Sequence, residues 1–301
     1  MITDKEIIIN DFQAYFNTSF RPYDEVKSFF PDEVLYLKYL KKVLYFTKAV
    51  IEPLEKKGLK QKDTIVDIAS GDGQMSLALA LKGYKSITLF DMDSKRLEFG
   101  YKIIHFFNPE TEINQINDSA TNLSKHYDVL ISYQTIEHLS DEGNYSIAKK
   151  SCQKDFLKKV NLNINKLCYF NAPNKTFPID GHDTGKLFFH WLPMSVRKYF
   201  INKKLVKCSW SGISQPVTVS FLKRQLKTFK LSSKYYAFDN MTDYINNYPS
   251  FDYMGNKIYK INPNKLSFKK KIVRSISTLL GKNMQKLLPV LSVVFVKKNL
   301  K

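Results

Sequence analysis

The sequence contains few of the residues that cross-link small domains. It has 3 cysteines in 301 residues, which excludes a disulfide-stapled scaffold. Cys152, Cys168 and Cys208 form no C-x-x-C pair, so the spacing indicates neither a zinc site nor a redox motif. Hydrophobic residues make up 44% of the chain, which is enough for a packed core and excludes a wholly disordered or low-complexity protein.

Long hydrophobic runs are also missing. The longest, at 287–296, is interrupted by Pro289, and it falls well short of the ~18 apolar residues that a membrane span needs. Asp4 and Glu6 lie among the first ten residues, a pattern that does not fit a signal peptide. Together with the low cysteine content, these absences predict a soluble protein in a reducing compartment, the cytoplasm.

Negative charge is scarce relative to positive charge. There are 47 Lys and Arg against 28 Asp and Glu, which gives a net charge of +19. Such an excess is typical of proteins that bind nucleic acid or a membrane surface. It also fits the Lys- and Asn-rich composition of proteins from AT-rich genomes, and the basic residues are scattered rather than gathered in one block. Both interpretations stay open at this stage.

The first part of the chain, residues 1–60, has the spacing of an amphipathic helical layer. Apolar residues recur at helical intervals through 33–57, which predicts a helix. Pro31-Asp32 is a suitable start and Gly58 a suitable stop, while Pro53 is expected to kink or end the helix one turn earlier.

From residue 61 to 174, apolar strands alternate with helical segments. Such alternation predicts a parallel sheet that is covered by helices on both faces. The predicted strands are 64–69, 86–90, 112–116, 127–132 and 166–171, and the predicted helices are 74–81, 94–106 and 141–160.

The alternation fails after residue 174. Residues 175–266 are interpreted as an acceptor-side insertion with the remaining core strands, including a strand at 207–219 and a helix at 221–230. Residues 267–301 are interpreted as a basic amphipathic helix followed by a final strand at 290–297. A basic helix of this kind suits docking beside anionic lipid, although such a stretch is more often a solvated helix face.

The sequence DIASGDG carries the most information, because it lies where the first strand meets the first helix of the alternating region. Glycines at such a turn let a ligand approach the backbone closely. Asp67 and Asp72 would repel a pyrophosphate, whereas they suit a ligand with cationic groups. Asp91 ends the next strand, near the ~20-residue spacing expected of an acid that binds ribose, and Asp118 ends the third. We therefore expect Asp67, Asp91 and Asp118 to face one crevice.

In order and spacing, the motifs DIASGDG, FDMD, NDSA and YDVLISYQTIEHL resemble those of class I S-adenosylmethionine-dependent methyltransferases. The resemblance covers about 62–174. It implies a Rossmann-like α/β fold with a seven-stranded, mostly parallel sheet flanked by helices, and S-adenosyl-L-methionine as the cofactor. It also implies that 290–297 is the antiparallel seventh strand, inserted between the fifth and the sixth.

The same resemblance assigns individual residues. Asp67, Gly71 and Gly73 would hold the methionine part, with Ala69 and Asp72 in the same loop, and Ala69 departs from the glycine that many members carry. Asp91 would bind the ribose hydroxyls and Met92 would pack on adenine. The remaining assignments are Asp118 and Ser119 at adenine, Gln134 beside the methyl group, and Glu137-His138 as the Glu-His pair often found after the fourth strand. A structural helix start explains that pair equally well.

A second group of residues, in FPIDGHD and HWLP, follows the predicted fifth strand. His182 and His190 titrate near neutrality and are candidate general bases, with Asp183 as a candidate partner. A loop anchored by its own polar groups is the alternative interpretation. No metal site is predicted from the spacing.

These observations together predict an S-adenosylmethionine-dependent methyltransferase that acts at an oxygen of a small-molecule or saccharide acceptor. The second motif group is also similar to methyltransferases of surface-polysaccharide and lipid-linked saccharide pathways, which adds peripheral association with the inner face of a membrane as an expectation. The competing hypotheses are an RNA or protein methyltransferase and a non-catalytic binding module. Nucleic acid is the less favoured partner, because no amino-methylating N/D-P-P-Y signature follows the fourth strand. The oligomeric state is left open.

Overall fold

The computed structural model describes residues 4–16, 20–142, 146–178, 180, 182–208, 212–235 and 290–298. They form two compact units, the first ending at Asn117 and the second beginning at Asp118. The domain boundaries predicted at 60, 174 and 266 stay predictions, and the predicted basic helix at 267–288 lies outside the described residues. Within the described part of the chain, no helix is both long enough and apolar enough to cross a membrane.

The first unit begins with a helical layer and continues with alternating strands and helices. Its helices are α1 (Asp4–Phe16), α2 (Tyr23–Val26), α3 (Glu33–Phe46), α4 (Glu52–Glu55), α5 (Gln74–Leu81) and α6 (Ser94–Phe107). Its strands are β1 (Thr64–Ile68), β2 (Ser86–Asp91) and β3 (Glu112–Asn117), paired in parallel in the order β1, β2, β3. Strands β1 and β2 are almost fully buried, as expected of the apolar interior of a parallel sheet.

Local sequence explains where helix α3 begins and where the regular helical bonding after it is interrupted. The carboxylate of Asp32 accepts a hydrogen bond from the backbone N–H of Leu35, which satisfies one free donor of the first turn. A π-helical turn, Thr47–Ile51, joins α3 to α4. It ends two residues before Pro53, which has no N–H to donate and so disrupts the regular bonding. The helical bonding is thus irregular in the turn before Pro53, and a kink there stays a prediction.

The second unit carries the remaining strands and helices of the described chain. Its strands are β4 (Tyr127–Tyr133), β5 (Ile164–Pro173), β6 (Phe229–Tyr235) and β7 (Val290–Lys297). Its helices are α7 (Lys150–Asn163), α8 (Met194–Asn202) and α9 (Val219–Gln225), with short 3₁₀ turns at Ala120–Asn122, Ile136–His138 and Phe189–Trp191. Strand β5 pairs in parallel with β4 and antiparallel with β7.

The seven strands form one sheet in the order β3-β2-β1-β4-β5-β7-β6. Strand β7 pairs antiparallel with both β5 and β6, so the last strand lies between the fifth and the sixth as predicted. The α/β fold class, with a seven-stranded and mostly parallel sheet flanked by helices, is confirmed.

Three predicted elements differ from the structure. The helix predicted at 141–160 begins only at Lys150, because the backbone N–H groups of Ala148 and Lys149 donate to Ile213 and Leu139 and not to a helical acceptor. Among the described residues of the predicted strand 207–219, the structure has isolated bridges at Ile213 and Val217 and no continuous strand. The helix predicted at 221–230 is present as α9 but ends at Gln225, and β6 begins at Phe229.

Candidate functional site

The loop between β1 and α5 is a tight turn built on two glycines. Gly71 and Gly73 both have left-handed backbone conformations, with φ of +55° and +75°, which an L side chain adopts only at a cost. A Cβ atom at Gly73 would lie 2.9 Å from the Cα atom of Gly100 on α6. Gly73 therefore has to lack a side chain, whereas a side chain at Gly71 would be strained by its left-handed φ and would have to displace the Arg96 guanidinium.

Asp91, at the end of β2, holds this turn in place. Its Oδ2 atom accepts a hydrogen bond of 2.8 Å from the backbone N–H of Gly71, and its Oδ1 atom accepts one of 2.9 Å from Asp93 N–H. A carboxylate offers about four acceptor sites. Asp91 can therefore orient the glycine turn and still accept from a ligand hydroxyl.

Asp67, the fourth residue of β1, is buried beneath the same turn. Its Oδ2 atom accepts a hydrogen bond of 2.8 Å from the hydroxyl of Ser76. Burial raises the pKa of Asp67 to about 7, and the charge of Asp91 adds to the increase, while the Ser76 bond and Lys42 oppose it. A buried carboxylate of this kind is stabilised in its charged form by a cation placed beside it.

The raised pKa of Asp67 predicts a measurable pH effect on stability. Because the folded protein binds the proton more tightly than the unfolded chain, whose Asp pKa is about 3.9, stability is lost as pH rises from about 4 to about 7 and stays constant above that. Without ligand, the free energy of unfolding of the wild type should fall relative to Asp67→Asn by roughly 2–3 kcal/mol between about pH 5 and about pH 8. Denaturant titrations at several pH values measure this difference. If the difference in free energy of unfolding between the wild type and Asp67→Asn does not change with pH, Asp67 is ionised over the whole pH range.

Asp72 is neutralised by a partner that the sequence did not reveal. The guanidinium of Arg96 on α6 binds its carboxylate through Nε at 2.8 Å and Nη2 at 3.2 Å. On the opposite side of the turn, the hydroxyl of Tyr39 on α3 donates to the backbone oxygen of Asp72. The preference for a cationic ligand therefore depends on Asp67 and Asp91 rather than on Asp72.

Two further predicted residues lie in this unit. Ala69 has a φ of +56°, a conformation that favours glycine, which explains why glycine is the usual residue there in the resembling family. Met92 follows Asp91 and its side chain is 42% exposed, so it is accessible to a ligand.

Asp118, Ser119 and Gln134 belong to the second unit, and their assignment to the cofactor stays a prediction. Asp118 is exposed, and its Oδ1 atom accepts from Ser119 N–H and from the Asn122 side chain. Gln134 follows β4 with a left-handed φ of +52°, and its amide nitrogen donates to Asn171 on β5. Its Oε1 atom is buried without a hydrogen-bond partner among the described residues, so it is available to accept from a ligand.

The second motif group brings two histidines together. The Nε2 atom of His182 lies 3.0 Å from Nε2 of His138, and Oε1 of Glu137 lies 3.9 Å from the same His138 atom. Glu137 is fully buried, and burial raises its pKa to about 8. Burial lowers the pKa of His138 to about 4 and also lowers that of His182. Burial therefore favours the neutral form of both imidazoles.

Asp183, the predicted partner of a general base, forms a buried ion pair. Its Oδ2 atom accepts from Arg197 Nη2 on α8 at 2.7 Å and from the backbone N–H of Ser214 at 2.9 Å. Both charged side chains are at most 1% exposed. Asp183 thus ties the loop that carries His182 to α8, and its catalytic role stays a prediction.

His190, the other candidate base, is buried within the same unit. Its Nε2 atom lies 3.2 Å from the backbone oxygen of Lys175, and its Nδ1 atom lies 3.9 Å from Asp180 Oδ1. Burial lowers its pKa. The structure therefore gives His190 partners within the loop itself, and its catalytic role also stays a prediction.

A cleft of about 520 Å³ adjoins this group and is lined by residues 182–186 and 205–208. His182 and Asp183 lie at its wall, with Lys186 and Leu205 also in the lining. Nearby in the chain, the rings of Phe188 and Trp191 contact each other and are each almost half exposed. The cleft has room for a small-molecule or saccharide group.

Comparison with known proteins gives a consistent but distant relationship. No family model matches the chain. A ribosomal protein L11 methyltransferase from Bacillus pumilus (strain SAFR-032) is 28% identical over 108 residues, which cover 35% of this chain and 34% of that protein. The chain thus matches only about a third of the length of this curated relative.

Solved structures with a similar arrangement include two methyltransferases. Magnesium protoporphyrin IX methyltransferase from Synechocystis PCC 6803, with bound SAH, aligns over 98% of this chain and 100% of its own at 9% identity, with a TM-score of 0.49. An S-adenosylmethionine-dependent methyltransferase from Clostridium acetobutylicum ATCC 824 aligns over 87% of this chain and 92% of its own at 10% identity, with a TM-score of 0.49.

Sequence reasoning missed the partners that fix these groups, namely Arg96, Gly100 and Arg197. Each lies on a helix 14 to 27 residues from the residue that it contacts, and no motif marked it. The strand order, with an antiparallel seventh strand between the fifth and the sixth, and the glycine turn after β1 do match the expectation. The chain therefore has the fold of the class I S-adenosylmethionine-dependent methyltransferases that its sequence resembles.

Proposed function

We propose that this protein transfers a methyl group from S-adenosyl-L-methionine to an oxygen atom of a small-molecule or saccharide acceptor. The observation that carries the proposal is the glycine turn after β1, which has buried Asp67 beneath it and Asp91 bonded to its backbone. A fold alone does not imply a reaction, so the proposal depends on this chemistry.

The turn favours a nucleoside with a cationic chain over a dinucleotide. A pyrophosphate needs free N–H groups and positive charge at a helix N-terminus. Here the Arg96 guanidinium beside the turn is already bound to Asp72, and the buried carboxylate of Asp67 would repel a phosphate. An ammonium or sulfonium group would instead stabilise ionised Asp67, and a ribose hydroxyl could donate to Asp91.

The cleft beside His182 supports an oxygen acceptor. Methyl transfer is a displacement in which an acceptor oxygen forms a bond to the methyl carbon while the carbon–sulfur bond breaks and its electrons stay on sulfur. The hydroxyl proton must leave to a base within hydrogen-bond reach. A neutral His182 can accept it, and the exposed rings of Phe188 and Trp191 offer an apolar surface for a sugar ring.

Membrane association belongs to the same proposal. A glycan-lipid acceptor would place the protein beside an anionic lipid surface, which the net charge of +19 would favour. A cytoplasmic location at the inner face of a membrane is thus part of what we propose.

A protein or RNA acceptor is the second candidate. The partial similarity to a ribosomal protein methyltransferase and the net charge of +19 favour it. An RNA substrate would make binding fall steeply with salt concentration, so salt-independent binding would count against that alternative.

A labelled-methyl screen tests the proposal. Purified protein is incubated with methyl-labelled S-adenosylmethionine and lysate fractions separated into glycan, lipid, RNA and protein. We expect label in the glycan or lipid fraction, and at least 10-fold less with Asp91→Ala, because one lost charge-assisted hydrogen bond is worth about 1.5–3 kcal/mol. Label confined to the RNA or protein fraction would refute the acceptor assignment while keeping the reaction.

A further inference from the structure

Three side chains of the second unit bring potential metal-ligand atoms together. Glu137, His138 and His182 contribute one atom each, and the three atoms lie within 4.8 Å of one another. The two Nε2 atoms are 3.0 Å apart, and Glu137 Oε1 is 3.9 Å from His138 Nε2. Ligands bound tetrahedrally at 2.0–2.1 Å are separated by about 3.3 Å. The observed separations lie on either side of this value, so small side-chain rotations would suffice to bind an ion.

Glu137 provides a second, independent observation. Its side chain is fully buried, and within the described chain neither carboxylate oxygen has a hydrogen-bond partner. A buried polar group left without a partner destabilises the fold by about 1–3 kcal/mol, and more if it is charged. Its Oε1 atom lies beside His138. A cation bound between the two residues would therefore offset the cost of burying this carboxylate.

We propose that Glu137, His138 and His182 form a binding site for one divalent transition-metal ion of the Zn²⁺ type. Two imidazole nitrogens and one carboxylate oxygen are a donor set that such ions accept, and three protein ligands leave a fourth position open. His182 also lines the 520 Å³ cleft, which gives the ion and a further oxygen ligand a route to the cluster.

The site has a chemical consequence that rests on the proposed function. A bound ion would take the acceptor hydroxyl as its fourth ligand and lower the pKa of that hydroxyl, so its proton passes to solvent before the oxygen bonds to the methyl carbon. The Nε2 atom of His182 would then hold the metal instead of accepting the proton. The ligand role and the base role of His182 are mutually exclusive, which makes them separable by experiment.

Metal binding is measured first, without cofactor. Chelator-treated full-length protein is titrated with Zn²⁺ by calorimetry, and metal content is checked after dialysis. We expect one equivalent per chain, with affinity at least 100-fold lower in both His182→Ala and Glu137→Gln. His126→Ala removes an exposed histidine of the same unit and should bind Zn²⁺ as the wild type does. Equal affinity in the wild type and in variants that melt normally would overturn the site.

Two further readouts separate this proposal from the proposed function. If the protein binds S-adenosylhomocysteine but no Zn²⁺, the metal site is wrong and the methyltransferase proposal stands. If it binds Zn²⁺ but no S-adenosylhomocysteine, the methyltransferase proposal is refuted and the metal site stands. Once an acceptor is known, loss of methyl transfer on chelation and recovery with Zn²⁺ would support the catalytic role of the ion. Full turnover of metal-free protein would exclude that role and return His182 to the role of a base.

Discussion

Replacing Asp91 by alanine is expected to weaken the binding of S-adenosylhomocysteine by at least 100-fold. The carboxylate holds the backbone N–H groups of Gly71 and Asp93, and in the proposed complex it also accepts from the ribose hydroxyls. Hydrogen bonds to a charged group contribute about 1.5–3 kcal/mol each. Loss of two such bonds corresponds to about 100-fold or more in the dissociation constant, which calorimetric titration measures directly.

Matched variants show whether the loss is specific to Asp91. Glu112→Ala removes an exposed carboxylate at the start of the neighbouring strand β3, and it should leave affinity unchanged. Asp91→Asn keeps one acceptor oxygen and should bind with intermediate affinity. An Asp91→Ala protein that melts like the wild type and binds the ligand with the same affinity would refute the assignment of this residue.

The second large effect concerns stability. Asp183→Asn is expected to lower the free energy of unfolding by about 3–5 kcal/mol, because it removes the carboxylate that is bound to the buried guanidinium of Arg197. The backbone N–H of Ser214 also loses a charged acceptor. Since this contact ties the loop with His182 to α8, methyl transfer should fall together with the melting temperature.

Two controls separate the buried ion pair from a catalytic role of Asp183. Asp155→Ala breaks an exposed pair with Lys158 in the same unit and should change stability by no more than about 0.5 kcal/mol. Replacing the pair together, by Asp183→Leu and Arg197→Met, removes both charges and should restore much of the lost stability. If Asp183→Asn unfolds like the wild type but loses activity, the residue acts in catalysis and not as a structural anchor.

Sequence patterns predicted most of the sheet because its strands are buried on both faces. Strands of this kind appear as short apolar runs, and β1, β2, β4 and β7 lie within one or two residues of their predicted bounds. The helix α5 matches its prediction at both ends, since Gly73 and Gly83 delimit it.

Prediction failed where local pattern and tertiary environment disagree. Strand β6 lies at the edge of the sheet, and its sequence FKLSSKY has few apolar residues. The helical spacing of the residues before it therefore predicts a helix that runs on into the start of this strand. The 141–149 segment has helical composition, yet Ile147 and Ala148 bond to Ile213 instead. That bond joins residues more than sixty positions apart, which no local window can detect.

The positions of the glycines and acids of the candidate site could be predicted, but their partners could not. DIASGDG and Asp91 stand at strand ends that the sequence spacing marks, and their roles in cofactor binding stay predictions. The cluster of Glu137, His138 and His182 was not found, because His182 is 44 residues from His138 and only the folded loop brings it close. The same reason applies to the pairing of Arg197 with Asp183.

The most direct test of the account is a calorimetric titration of the full-length wild-type protein with S-adenosylhomocysteine, with ADP titrated in parallel. We expect one molecule of S-adenosylhomocysteine to bind per chain at micromolar concentrations, and ADP to bind much more weakly. The reason is that, in the proposed complex, the loop after β1 receives a cationic chain and not a phosphate. Tight binding of ADP with no binding of S-adenosylhomocysteine would contradict it.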